Sequence, residues 1–182
     1  RAGAAERLAR DGDLTDDERL DDGAPPLPPE VEETYAMRLG QIAEDRLTDL
    51  DRAALAFGRA SQGPDPKPAL GALERVLARS GRWPDLALVL RRQSEVADED
   101  AQTADYLFRL GDLQETTLSS PREAVAAYRE VLQIIPTHAQ ARTALERLLV
   151  KVPEEAGDIV EILEPLFEAD GDAPRLINVL EA

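Results

Sequence analysis

The chain has 182 residues, 43% of them hydrophobic and 32% charged, enough to bury a core in one domain or one stretch of repeats rather than to remain a disordered polyelectrolyte. Its formal net charge of -16 argues against a general affinity for nucleic acid or anionic membrane, because phosphate binding needs a basic surface. The absence of cysteine excludes disulfides, thiolate zinc sites and cysteine nucleophiles, and the 4% of aromatic residues leaves the core to leucine, valine, isoleucine and alanine.

No apolar run approaches the roughly 18 residues of a membrane helix, and no signal peptide is visible. The chain begins at Arg1 and its only methionine is Met37, so we expect the native N-terminus to lie upstream. The compartment stays open between cytoplasm and periplasm, with the cytoplasm favoured. Only Lys67 and Lys151 among 21 basic residues are lysines, which we read as the mark of a GC-rich bacterial genome.

In chain order, residues 1–11 predict a short helix through Ala5, Leu8 and Ala9, the tail of a preceding hairpin. Residues 12–29 predict an acidic and proline-rich linker, with Pro25, Pro26, Pro28 and Pro29 forbidding a continuous helix. Within it, Asp11, Gly12, Asp13, Leu14, Thr15 and Glu18 match the second half of an EF-hand calcium loop. Arg7 and Ala9 occupy the first two ligand positions, however, and an arginine there repels the ion. A solvated loop capped by Thr15 and Glu18 is the preferred reading, with no calcium bound.

Helical periodicity then predicts helices near 30–46, 50–61, 67–80, 84–98, 100–117, 121–135, 138–151, 154–169 and 173–182. The clearest hairpin carries Leu107, Leu110 and Gly111 on its first helix. Its second helix carries Ala124, Ala127, Tyr128, Val131, Leu132 and Ile135, and Pro136 stops it. Ser119 and Ser120 are placed to accept from orphan N–H groups before Pro121. Asp172 is placed to cap the last helix, with Pro174 in its first turn. Pro165 falls inside the stripe of Ile159, Ile162, Leu163, Leu166 and Phe167, and predicts a kink or a split there.

The landmarks recur. Leu39, Gly40, Ala53 and Phe57 stand 71 residues before Leu110, Gly111, Ala124 and Tyr128. Residues 72–77 are echoed at 144–149, a step of 72, and Gly81, Pro84, Leu86, Val89 and Leu90 are echoed 90 residues later by Gly171, Pro174, Leu176, Val179 and Leu180. At these residues the sequence resembles the tetratricopeptide repeat (TPR) family, whose pattern sets leucine-glycine on a first helix and alanine, an aromatic and a later proline on a second. Leu107 stands where the family prefers tryptophan and Gln114 where it prefers tyrosine, and the turn before Ala124 is one residue longer than the family's.

The resemblance covers about residues 30–182 and implies an all-α fold, a TPR-like α-solenoid of stacked antiparallel helical hairpins. The longer step of 90 implies an extra helix near 154–169, and residues 173–182 are expected to open a hairpin that continues beyond residue 182. It further implies a non-catalytic protein-protein interaction scaffold that binds a protein or peptide partner on its concave face. The alternative is a structural spacer within a larger multi-repeat protein with no groove ligand.

Carrying the family's inner-face positions onto this chain nominates Met37, Gln41, Glu44, Arg75, Arg79, Phe108, Asp112, Glu115, Arg147 and Lys151. Acidic helices then alternate with basic ones, so neighbouring stripes are expected to pair and leave a groove of near-balanced charge. Exposure of Met37 and Phe108 would favour binding and their burial the spacer.

No catalytic group, metal site or cofactor is expected. His138, the only histidine, lacks a relay partner in the sequence and reads as a surface residue. Glu32 and Glu33, like Glu154 and Glu155, are adjacent and diverge on a helix, so neither pair can share a substrate. Trp83, before Pro84 at a helix start, reads as a staple against the following helix.

Overall fold

The computed structural model describes residues 26–181, and over them the chain is helical throughout, with no strand among the described residues. Nine α-helices follow one another: α1 (Pro29–Asp45), α2 (Leu50–Ala60), α3 (Pro66–Ser80), α4 (Trp83–Val96), α5 (Asp100–Thr116), α6 (Pro121–Ile134), α7 (Ala139–Lys151), α8 (Ala156–Asp170) and α9 (Ala173–Glu181). The expected short helix at 1–11, the calcium-loop fragment and all but the end of the expected linker lie outside the described residues. That linker ends sooner than expected, because Pro29 is the first residue of α1, where its missing N–H costs nothing.

Connections of two to five residues return the chain after each helix, so every helix packs against the next one in sequence. Side-chain bridges also skip one helix. Glu44 of α1 reaches Arg75 of α3, Glu74 of α3 reaches Arg109 of α5, Glu115 of α5 reaches Arg147 of α7, and Glu146 of α7 reaches Arg175 of α9. Arg91 of α4 likewise reaches Glu130 of α6 at 2.6 Å. Odd-numbered helices therefore lie beside odd-numbered ones, and α4 beside α6.

The glycine, alanine and aromatic landmarks have a packing cause. The Phe57 ring lies so close to Gly40 that a Cβ there would sit 2.5 Å from its edge, and Tyr128 leaves 2.6 Å at Gly111. Glycine is thus where the second helix of these two hairpins, α1–α2 and α5–α6, presses its ring onto the first, while Ala53 and Ala124 are small enough to be wholly buried beside it.

The turns that precede these second helices also match. Thr48 (φ 51) and Ser119 (φ 53) both adopt the left-handed region, 71 residues apart. The backbone N–H of Asp49 then donates to Ala43 and that of Ser120 to Gln114, at 2.9 and 2.8 Å.

Three local expectations are corrected. Ser120 precedes α6 but makes no cap with its side chain, since the left-handed Ser119 turns the chain and the Ser120 hydroxyl donates back to the Leu118 carbonyl at 3.4 Å. Pro165 does not split α8, which runs unbroken across it. Ile159, Leu163 and Phe167 are fully buried on either side, while the proline itself faces solvent. A single 3-10 turn, Pro153–Glu155, occupies the place where that helix was expected to begin. The Asp172 cap is present, accepting from the Arg175 N–H at 3.2 Å.

Candidate functional site

The nominated residues fall on α1, α3, α5 and α7, and the structure gathers five of them, Glu44, Arg75, Arg79, Glu115 and Arg147, into two clamps. In the first, the Glu44 carboxylate, 6% exposed, takes two bonds from Arg75 (3.0 and 2.6 Å) and a third from Arg79 (2.6 Å). In the second, the Glu115 carboxylate takes two bonds from Arg147 (2.9 and 2.7 Å) and a third from the Tyr128 hydroxyl at 3.2 Å. Both arginines grip with the planar fork that suits a carboxylate.

The clamps sit 71 and 72 residues apart, and they differ in one donor. Phe57 stands where Tyr128 does and has no hydroxyl, so Arg79 supplies the third bond. Lys151 stands where Arg79 does and makes no ion pair among the described residues, so the tyrosine supplies it.

The electrostatics follow from these contacts. The Arg75 hydrogen bond, working against burial, holds the Glu44 carboxyl below its ordinary value, and the same bond holds the Arg75 guanidinium above its own. Arg147 is likewise held up by its bond to Glu115. Burial, then the neighbouring Glu115 charge, pushes the Tyr128 phenol well above its ordinary range, so this tyrosine is a donor at any physiological pH.

The remaining nominated residues divide. Gln41, Asp112 and Lys151 make no side-chain bond on this face among the described residues. Met37 and Phe108 are half-buried: Met37 packs against the cores of the first hairpins, and Phe108 lies 5.7 Å from the Tyr128 ring and 5.2 Å from His138. The expected pairing of acidic and basic stripes is therefore present between α1 and α3 and between α5 and α7. The carboxylates are buried rather than freely solvated, which makes these pairs more than ordinary surface contacts.

His138 is placed differently from expectation. It is half-buried, and it caps α7 by accepting from the Ala141 N–H on Nδ1 at 3.1 Å. The adjacent acids diverge: Glu32 pairs with Arg59 at 3.0 Å, whereas Glu33 accepts from the Asp65 N–H at 3.3 Å. Trp83 opens α4 and keeps 37% of its surface exposed.

Two features escaped the sequence reading. Glu74 is a hub that takes Arg109 from α5 and the Gln93 amide from α4 at 2.8 Å. An apolar groove of about 420 Å³ lies between α2 and α4, with Leu55 and Leu88 exposed and Gly58 leaving room at its wall. The only signal for it was that both leucines fall off the buried stripe of their helices.

Among the described residues no three acidic or histidine side chains converge as a metal site would require, and no helix is long and apolar enough to cross a membrane. Compared with known protein families, curated proteins and solved structures, the chain matches none.

Proposed function

We propose that this chain is a non-catalytic protein-protein interaction scaffold of TPR-like solenoid architecture, whose odd-numbered helices line a concave face that receives a partner segment. The observation that carries the reading is the repeated carboxylate clamp. Ion pairs between buried carboxylates and half-exposed arginines, repeated at a sequence step of 71 and 72, tie odd-numbered helices together, which is what a groove of defined width needs.

Because Arg75, Arg79 and Arg147 are held by their own carboxylates, recognition falls to the side chains between them. Gln41 and Asp112 occupy equivalent positions on α1 and α5, and Lys151 lies on α7. A partner with both donors and acceptors suits this mixed set, and the -16 charge keeps nucleic acid away.

Affinity capture with the chain, followed by Asp112→Lys with Lys151→Glu, tests this reading. Lost retention at an unchanged melting temperature supports the groove. Full retention removes it and leaves the spacer. The spacer reading has one observation of its own, the half-burial of Met37 and Phe108.

A further inference from the structure

A small cleft of about 80 Å³ opens between α3 and α5, with residues of α4 completing it. Ion pairs flank it. Lys67 of α3, on its rim, holds Asp98, while Glu74, three residues beyond Gly71, holds Arg109, three residues beyond Tyr106. The Arg109 guanidinium also stands 5.8 Å from the centre of the Tyr106 ring, which fixes the wall supplied by α5. The wall supplied by α3 is Gly71, where a Cβ would meet nothing within 4 Å.

Gln93 of α4 lines this cleft and is only 5% exposed. Its Nε2 donates to Glu74 Oε2 at 2.8 Å, and because a carboxylate oxygen only accepts, the amide cannot be turned the other way. The acceptor Oε1 is thereby left buried with no donor among the described residues. A buried acceptor in that state destabilises the chain until an N–H or O–H reaches it.

We propose that the cleft binds a primary carboxamide, the end group of an asparagine or glutamine side chain or of a small amide, with its N–H donating to Gln93 Oε1. Size supports this ligand, since the cleft holds about three water-sized groups, matching the carbon, oxygen and nitrogen of one carboxamide. Charge supports it too. The cations and anions around the cleft are already matched in pairs, so a charged ligand would break a pair or enter unmatched. The ligand's carbonyl oxygen accepts from the exposed Gln102 amide or the Lys67 ammonium at the rim, and its methylene lies against Val96. The inference does not depend on what the groove of the proposed function binds, because neither clamp contributes a residue to this cleft.

Amide-detected NMR titration of the 182-residue chain with propionamide tests it. The Gln93 side-chain amide and the Gly71 and Tyr106 backbone resonances should shift to saturation, with a dissociation constant on the order of millimolar for so small a ligand. N,N-dimethylpropionamide, which has no N–H, and propionate, which is charged, should each bind at least about tenfold more weakly. A single glutamine capped as its acetyl and N-methyl amides should reproduce the shifts where the source is a peptide side chain, whereas shifts from propionamide alone assign the cleft to free small amides. Gly71→Met extends a side chain from an exposed helix position into open space and should abolish the shifts, with helix content by circular dichroism matching the parent. Gln93→Met, close in shape but without the acceptor, should weaken binding at least about tenfold. An absence of shifts, which leaves Oε1 to water, overturns the proposal. So does equal binding of the dimethyl amide, or binding that survives Gly71→Met.

Discussion

A buried carboxylate that takes three hydrogen bonds is the unit that recurs in this molecule, and the third donor is where its two copies differ. Removing the Tyr128 hydroxyl with Tyr128→Phe should cost about 1.5 to 3 kcal/mol in denaturant unfolding, the usual loss for one bond to a charged group. Adding Lys151→Arg to that variant should recover much of the loss, because Arg79 already plays that part for Glu44. A double variant no more stable than Tyr128→Phe would show the two donors are not interchangeable.

The depressed pKa of Glu44 adds a pH dependence. The carboxyl sits lower in the folded chain than in the unfolded one, so its contribution is present above the ordinary value of 4.5 and is lost as pH falls through the folded value. Unfolding free energy should therefore drop with acidification in that window, and Glu44→Gln should flatten the slope; an unchanged slope would remove Glu44 from the clamp. Repeat spacing made the glutamate and arginine positions legible in the sequence. The tyrosine hydroxyl was not, because an aromatic at that position is demanded by packing whether or not it carries a donor.

Helix existence was legible almost throughout, because three-and-four spacing of apolar residues, prolines at first turns and glycines after last turns all agreed. What the pattern could not reveal was why glycine recurs at 40 and 111, since helix interiors disfavour it. The answer is an aromatic ring pressed onto the helix backbone, which yields a contrast between glycines. Gly40→Ala and Gly111→Ala should each destabilise by about 1 to 3 kcal/mol, as a Cβ must displace a buried ring. Gly58→Ala and Gly71→Ala meet nothing within 4 Å and should stabilise by about 0.4 to 1 kcal/mol. Thermal melts of the four variants check the contrast, and the same sign at all of them would contradict it. The split expected at Pro165 is absent for a related reason. Proline removes one backbone bond, but Ile159, Leu163 and Phe167 anchor α8 on both sides, and packing outweighs the local preference.

Across the whole molecule, sequential helices are neighbours, and ion pairs tie each odd-numbered helix to the next from α1 to α9. The order of helices followed from short connections, but the ladder of pairs was only half legible. Glu44 with Arg75 and Glu115 with Arg147 came from carried-over inner-face positions, whereas Glu74 with Arg109 and Glu146 with Arg175 were not nominated, although Glu74 and Glu146 sit in the block echoed at a step of 72. If these pairs set the spacing of the helices, breaking the first clamp should loosen the array at α1 and α3. Thermal melting of the Arg75→Glu, Arg79→Glu double variant measures this most directly. Two added carboxylates would face the buried Glu44 in place of its donors, and the melting temperature should fall by at least about 5 °C; a melting temperature equal to that of the parent would contradict the account.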